Sequence, residues 1–301
     1  MGRGYVISAA VGAITAGVIG GGIEVAARAI SGPRRPALDY RFTPFEVGVP
    51  SDDVEFHAAD GTRIAGGWLE RPDSSRVVIV CHGHRGSKAD MLGIGPGLWR
   101  AGNSVLMFDF RGNGDSGDGP QSLAHYEQED LAAAVDLVVS RRPDADVAAL
   151  GFSMGAAVAL LTAADDPRIA ALVLDSPFSE MNEVVTAAAR RMRLPPFPLV
   201  PLVDRRTRLR YGYRFHDVRP IDVADRLAPR PVLFLHGGAD RTIPPVQSLH
   251  LHERVGPSSR RVVFPGADHC GGYFQDRAGY ISLVAGFLDE ALGPVSRRPY
   301  S

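Results

Sequence analysis

The pentapeptide Gly151-Phe152-Ser153-Met154-Gly155 sets a serine between two glycines, where the apolar run Val147 to Leu150 hands over to a helical pattern opening at Met154. In a nucleophile elbow the serine occupies a strained strand-to-helix turn, and glycines flank it because side chains there would meet neighbouring backbone. A hydroxyl is a weak nucleophile until a base takes its proton and a third group fixes that base's tautomer. Later strand ends supply both. Asp240 lies in His236-Gly237-Gly238-Ala239-Asp240-Arg241-Thr242-Ile243-Pro244, after the run Val232 to Leu235, and His269 closes Pro265-Gly266-Ala267-Asp268-His269, after a run ending at Phe264. Negative charge developing on an acyl oxygen needs preorganised N–H donors. Met154 supplies one by its position after the serine. The other is expected from Cys81-His82-Gly83-His84-Arg85-Gly86-Ser87, with the backbone N–H of His84 the first choice and that of Arg85 the next.

Competing assignments are few. Asp175 follows another strand pattern and is the alternative acid; Asp268 adjoins His269 and reads as a turn residue. His57, His125, His216, His250 and His252 carry no motif. Gly112-x-Gly114-x-x-Gly117 matches a dinucleotide fingerprint literally, but Asp118-Gly119-Pro120 prolongs the loop where that motif requires a helix. Cys81 and Cys270 lack zinc or redox spacing, and both read as buried thiols in a reducing setting. The chemistry calls for no metal and no organic cofactor.

These residues need strand ends to hold them. Strand patterns run over Val54 to His57, Arg63 to Leu69, Val77 to Cys81, Ser104 to Phe108, Val147 to Leu150, Ala171 to Leu174, Val232 to Leu235 and Arg261 to Phe264. Helical patterns cover Leu123 to Arg141, Met154 to Ala164, Val246 to Val255 and Tyr280 to Leu292. Such alternation predicts an α/β fold, a mostly parallel sheet with helices on both faces, and the wholly apolar strands fit burial on both sides. With 45% apolar and 22% charged residues, disorder is excluded, and 33 basic against 34 acidic residues leave no global excess for binding nucleic acid.

The loops around His82-Gly83, Asp109-Phe110-Arg111-Gly112-Asn113-Gly114-Asp115-Ser116, Ser153, Asp240 and His269, in the order serine, acid, histidine, resemble a serine hydrolase of the α/β-hydrolase superfamily. The nearest likeness is to its serine-aminopeptidase S33-like and Bem46-like branch, over roughly Val54 to Leu292. The resemblance implies an eight-stranded sheet with the site at its C-terminal edge, and a variable cap between Ser176 and Pro220. In that cap, eight arginines (190, 191, 193, 205, 206, 208, 210 and 214) surround the apolar run Leu194 to Val203. The arrangement reads either as a basic lid for a membrane surface or an anionic acyl substrate, or as a solvated flap whose arginines pair with acids elsewhere.

From Tyr5 to Ile23 no residue is charged. A helix of that length spans about 28 Å, so a single membrane anchor is the leading expectation. A signal peptide cleaved near Ala26, Ala27 or Ala29, followed by secretion, and a soluble helix are its rivals. Arg28, Arg34, Arg35 and Arg41 against Arg3 place the body in the cytoplasm. The expected division is an N-terminal segment 1–31, a linker 32–50, a hydrolase body 51–293 with the cap at about 176–220, and a tail 294–301. The expected activity is hydrolysis of a small-molecule carboxylic ester or thioester, with a lipid or acyl substrate in view, through an acyl-enzyme on Ser153. The alternatives are an aminopeptidase and a catalytically silent membrane scaffold.

Overall fold

The computed structural model describes residues 20–33 and 43–295. Its strands are β1 (Asp52–His57), β2 (Arg63–Leu69), β3 (Arg76–Cys81), β4 (Ser104–Phe108), β5 (Asp146–Phe152), β6 (Ile169–Asp175), β7 (Val232–Gly237) and β8 (Ser259–Phe264). They form one sheet in the order β1-β2-β4-β3-β5-β6-β7-β8. β1 and β2 run antiparallel to their neighbours, and every pairing from β4 to β8 is parallel.

The helices are α1 (20–31), α2 (Gly95–Arg100), α3 (Glu127–Arg141), α4 (Met154–Asp165), α5 (Met181–Arg191), α6 (Pro196–Tyr211), α7 (Val246–Val255), α8 (Gly272–Gln275) and α9 (Arg277–Leu292). Alternation along β3 divides the core between the two faces. Val77, Ile79 and Cys81 join the apolar side chains of α3, α4 and α7, whereas Val78 and Val80 join those of α2 and α9. Strands covered on both sides are buried throughout, as β3, β4 and β7 are, while β1 and β8 at the edges alternate or stay partly open.

Three differences from the sequence reading have physical causes. α3 starts at Glu127 rather than Leu123, because Leu123 and Ala124 hold positive φ and the Glu127 carboxylate accepts from the N–H groups of Ser122 and Ala124. α2 is built on a Gly-Pro-Gly start that propensity disfavours, and packing of Leu98 and Trp99 carries it. The cap is two helices: prolines obscure the pattern of α6, whose first turn is broken at Phe197.

Among the described residues no helix is long and apolar enough to cross a membrane. The run Tyr5 to Ile23 lies outside the described residues except for 20–23. The adjoining helix α1 lies on the body: Ala27 is buried and Ser31 Oγ is 2.6 Å from the hydroxyl of Tyr213.

Candidate active site

Ser153 stands between β5 and α4 with φ 53° and ψ −114°, the strained turn expected of an exposed nucleophile. The glycines beside it are sterically compelled. A Cβ on Gly151 would lie 2.3 Å from the Gly155 carbonyl oxygen, and one on Gly155 would lie 2.4 Å from that of Cys81. The Ser153 N–H donates to the carbonyl of Asp175 at 2.8 Å, which ties the turn to the adjacent strand.

The three residues singled out from separate strand ends meet here. His269 Nε2 lies 2.9 Å from Ser153 Oγ, and His269 Nδ1 lies 2.7 Å from Asp240 Oδ2. Asp240 Oδ1 accepts from the N–H groups of Thr242 and Ile243 at 2.8 and 2.9 Å. Burial alone would raise the Asp240 pKa, but hydrogen bonds from His236, His269 and the Ile243 N–H hold it well below the usual carboxylate range. An ionised Asp240 fixes the proton of His269 on Nδ1, leaving Nε2 free to accept from the serine.

Asp175, the alternative acid, is engaged elsewhere. It accepts from the hydroxyls of Tyr280 at 2.8 Å and Ser176 at 2.9 Å, and burial pushes its carboxyl up. Ser176 Oγ in turn accepts from the Cys270 N–H at 3.2 Å, so Asp175 steadies the histidine loop from below. Asp268 caps its own loop, accepting from the His269 N–H at 2.9 Å. Both cysteines are free; Cys81 is buried as expected, but Cys270 is only partly so. Among the described residues no group of three or more His, Cys, Asp or Glu could hold a metal ion.

His236 escaped the sequence reading. Its Nε2 donates to the Ile243 carbonyl at 2.8 Å and lies 3.3 Å from Asp240 Oδ2, so it braces the acid from the end of β7. The one signal available was its position four residues before Asp240.

The loop after β3 crosses Ser153, with the Cβ position of Gly83 3.6 Å from Ser153 Cβ. His82 Nε2 accepts from the Phe110 N–H at 3.0 Å, so the proton sits on Nδ1 and is donated to the Gly83 carbonyl at 2.7 Å. Asp109, fully buried, accepts from the Lys88 N–H at 2.7 Å and from Lys88 Nζ at 2.6 Å. The Asp109 to Ser116 stretch thus braces the loop that carries His84, and the next helix after Gly117 is α3. His84 turns its side chain toward α1, with Nε2 3.1 Å from the Ile30 carbonyl.

A cavity of about 1150 Å³ opens onto Ser153 and His269. Every cap residue on its wall is apolar, among them Phe178, Val184, Val185, Leu199, Val200 and Val203. The acidic and arginine residues that line it, Arg100, Arg277, Glu46 and Asp90, all lie outside the cap segment. The cap arginines divide between the two readings of the sequence. Arg206 and Arg210 pair with Glu24 of α1, while Arg205 and Arg208 flank the outward-facing Leu202 and Leu209.

A mostly parallel eight-stranded sheet, with serine, acid and histidine converging on loops at its C-terminal edge, is the architecture of the α/β hydrolases. A sequence model of the alpha/beta hydrolase fold matches residues 76–200. The uncharacterized protein YqkD of Bacillus subtilis is 31% identical over 236 residues, covering 77% of each chain. Protein bem46 of Schizosaccharomyces pombe is 25% identical over 254 residues, 82% of this chain and 80% of its own. In three dimensions the chain is similar to the Pyrococcus furiosus esterase Pf2001, with a TM-score of 0.73 at 24% identity over 86% of this chain and 98% of that one. The chain belongs to the alpha/beta hydrolase family, in its Bem46-like branch.

Proposed function

We propose that the protein is a serine hydrolase cleaving carboxylic esters or thioesters whose acyl part is apolar. The observation that carries this reading is the chain Asp240 Oδ2, His269 Nδ1, His269 Nε2, Ser153 Oγ, with contacts of 2.7 and 2.9 Å. Ser153 Oγ attacks the acyl carbon as its proton passes to His269 Nε2, and Asp240 stabilises the imidazolium. The N–H groups of Met154 and His84 receive the oxyanion. His269 then protonates the leaving alcohol or thiol. Water, deprotonated by the same imidazole, attacks the acyl-enzyme and releases the acid.

The cap wall supports an acyl substrate over a peptide. An aminopeptidase of this branch needs cap carboxylates to hold the substrate's amine, and every cap residue lining the cavity is apolar. An acyl chain fits that wall. A silent scaffold has no need of an ionised Asp240 aligned on a histidine and a serine.

We infer further that the body sits at a membrane surface. Phe197 is 80% exposed, Leu209 70% and Met192 64%, and Arg193 and Arg208 stand beside them in sequence. Apolar tips among cations suit an anionic lipid surface. The uncharged run 5–23 leads into α1 beside this face, and the flanking arginines favour the cytoplasmic side. Vesicle flotation tests the reading: binding should rise with phosphatidylglycerol, and a Phe197→Ser, Leu209→Ser protein that floats as well as the parent would sink it.

The activity is tested with p-nitrophenyl esters from acetate to palmitate and with Ser153→Ala in parallel. Turnover lost in the variant supports the acyl-enzyme route. Turnover surviving in the variant, or no turnover by a folded parent, rejects it.

A further inference from the structure

α1 touches the site at three places. Ile23, Ala26, Ala27 and Ile30 recur at the three- and four-residue spacing of one helix face, and all four pack on the core that carries Met154 and Phe178. Two of them, Ala26 and Ile30, line the cavity that opens onto Ser153. The Ile30 carbonyl belongs to the last turn of α1, where no intrahelical partner exists, and it accepts from His84 Nε2 at 3.1 Å. Burial lowers the His84 pKa to about 4, so the ring is neutral and its single proton is committed to this contact. The backbone of the same residue is the expected oxyanion donor.

On its other side α1 is clasped by the cap. Glu24 pairs with Arg28 of its own helix at 2.5 Å and with Arg206 and Arg210 of α6. Ser31 meets Tyr213, and its carbonyl accepts from the Gln121 N–H at 3.0 Å. Residues 20–31, which follow the uncharged run, are therefore held between the cap and the loop over Ser153, with Ala26 and Ile30 on the cavity wall.

We propose that α1 is a wall of the substrate cavity and that Ala26 and Ile30 set the length of acyl chain it accepts, an inference that rests on the ester-hydrolase reading of the same site. Each methylene withdrawn from an apolar wall weighs roughly fourfold in binding. Blocking room for two or more methylenes should therefore cost at least about tenfold on a long chain while costing little on one too short to reach α1.

The test uses the full chain with Ile30→Trp, Ala26→Trp, Ile30→Ala and, on the exposed face of the helix, Val25→Trp. Two readouts are taken: kcat/KM for butyrate, octanoate and dodecanoate esters, and displacement of a fluorescent fatty acid by dodecanoate, which needs the cavity but no turnover. The tryptophan variants at 26 and 30 should lower the dodecanoate-to-butyrate ratio at least about tenfold and weaken dodecanoate binding. Ile30→Ala, the variant least able to disturb folding, should move the optimum to longer chains, and Val25→Trp should reproduce the parent. A chain-length profile and a dodecanoate affinity unchanged at positions 26 and 30 would overturn the wall while leaving the hydrolase reading intact. Binding weakened by Ile30→Trp in a protein that turns over no ester would keep the wall and reject the hydrolase. A parent that neither cleaves nor binds the long chain rejects both.

Discussion

His236 and Asp240, four residues apart in sequence, meet across the turn after β7, with the imidazole Nε2 3.3 Å from the carboxylate oxygen that also receives His269. The acid is thereby held in place from two sides, and replacing it should be felt in rate before it is felt in folding. Asp240→Asn should lower kcat about 10⁴-fold, because the amide no longer holds the tautomer that frees Nε2. Asp175→Asn keeps one acceptor oxygen and reverses the other contact, the hydroxyl there accepting from the amide, and should cost less than about tenfold. Steady-state kinetics on one ester decides which carboxylate is the acid; equal losses would overturn the assignment.

The depressed pKa of Asp240 has a consequence for stability. Its folded value lies below the ordinary 3.8, so the carboxylate contributes stability in full above that pH, and the contribution is lost as pH falls toward the folded value. The melting temperature of the parent should exceed that of Asp240→Asn at pH 7, and the gap should narrow below about pH 4. Calorimetry at pH 7, 5 and 3 checks the sign; a gap that widens in acid contradicts it.

Lys88 is the cation beside the fully buried Asp109. Removing one partner of such a pair leaves an uncompensated charge, so Lys88→Met should cost about 3 kcal/mol in urea denaturation. It should also lower kcat on every ester alike, since the loop crossing Ser153 loses its brace. A loss confined to long esters would place the effect in the cavity instead.

Gly155 has no room for a methyl group, with carbonyl oxygens of Cys81 and His82 at 2.4 and 2.5 Å from its Cβ position. Gly155→Ala should destabilise by about 3 kcal/mol and abolish turnover. A variant as stable as the parent would mean that the elbow and the β3 strand end lie farther apart.

The parts of the site that sequence reveals are those defined by short-range chemistry. Ser153 announces itself because a strained turn needs Gly151 and Gly155 within two residues, and Asp240 and His269 because each follows a recognisable strand end. What stays hidden depends on distant partners. The role of His236 emerges only when the chain returns through Ile243. Arg206 finds Glu24 across 182 residues, so nothing near it in sequence marks α1 as a neighbour of the cap. α6 is masked by Pro198 and Pro201, which interrupt a pattern that packing of Val200 and Val203 restores.

Four non-glycine residues around the site hold left-handed backbone: Arg85 at φ 61°, Ser153 and Ser176 at 53°, and Cys270 at 52°. They come from four separate loops, and each conformation costs of order 1 to 3 kcal/mol wherever it occurs. A programme to harden this chain against heat would find inviting glycine substitutions at Arg85, Ser176 and Cys270, and would soften the catalyst by accepting them. Heat tolerance and reactivity compete here for the same few angles, so durable variants of the enzyme should carry their changes in the helices behind the sheet and leave its rim alone.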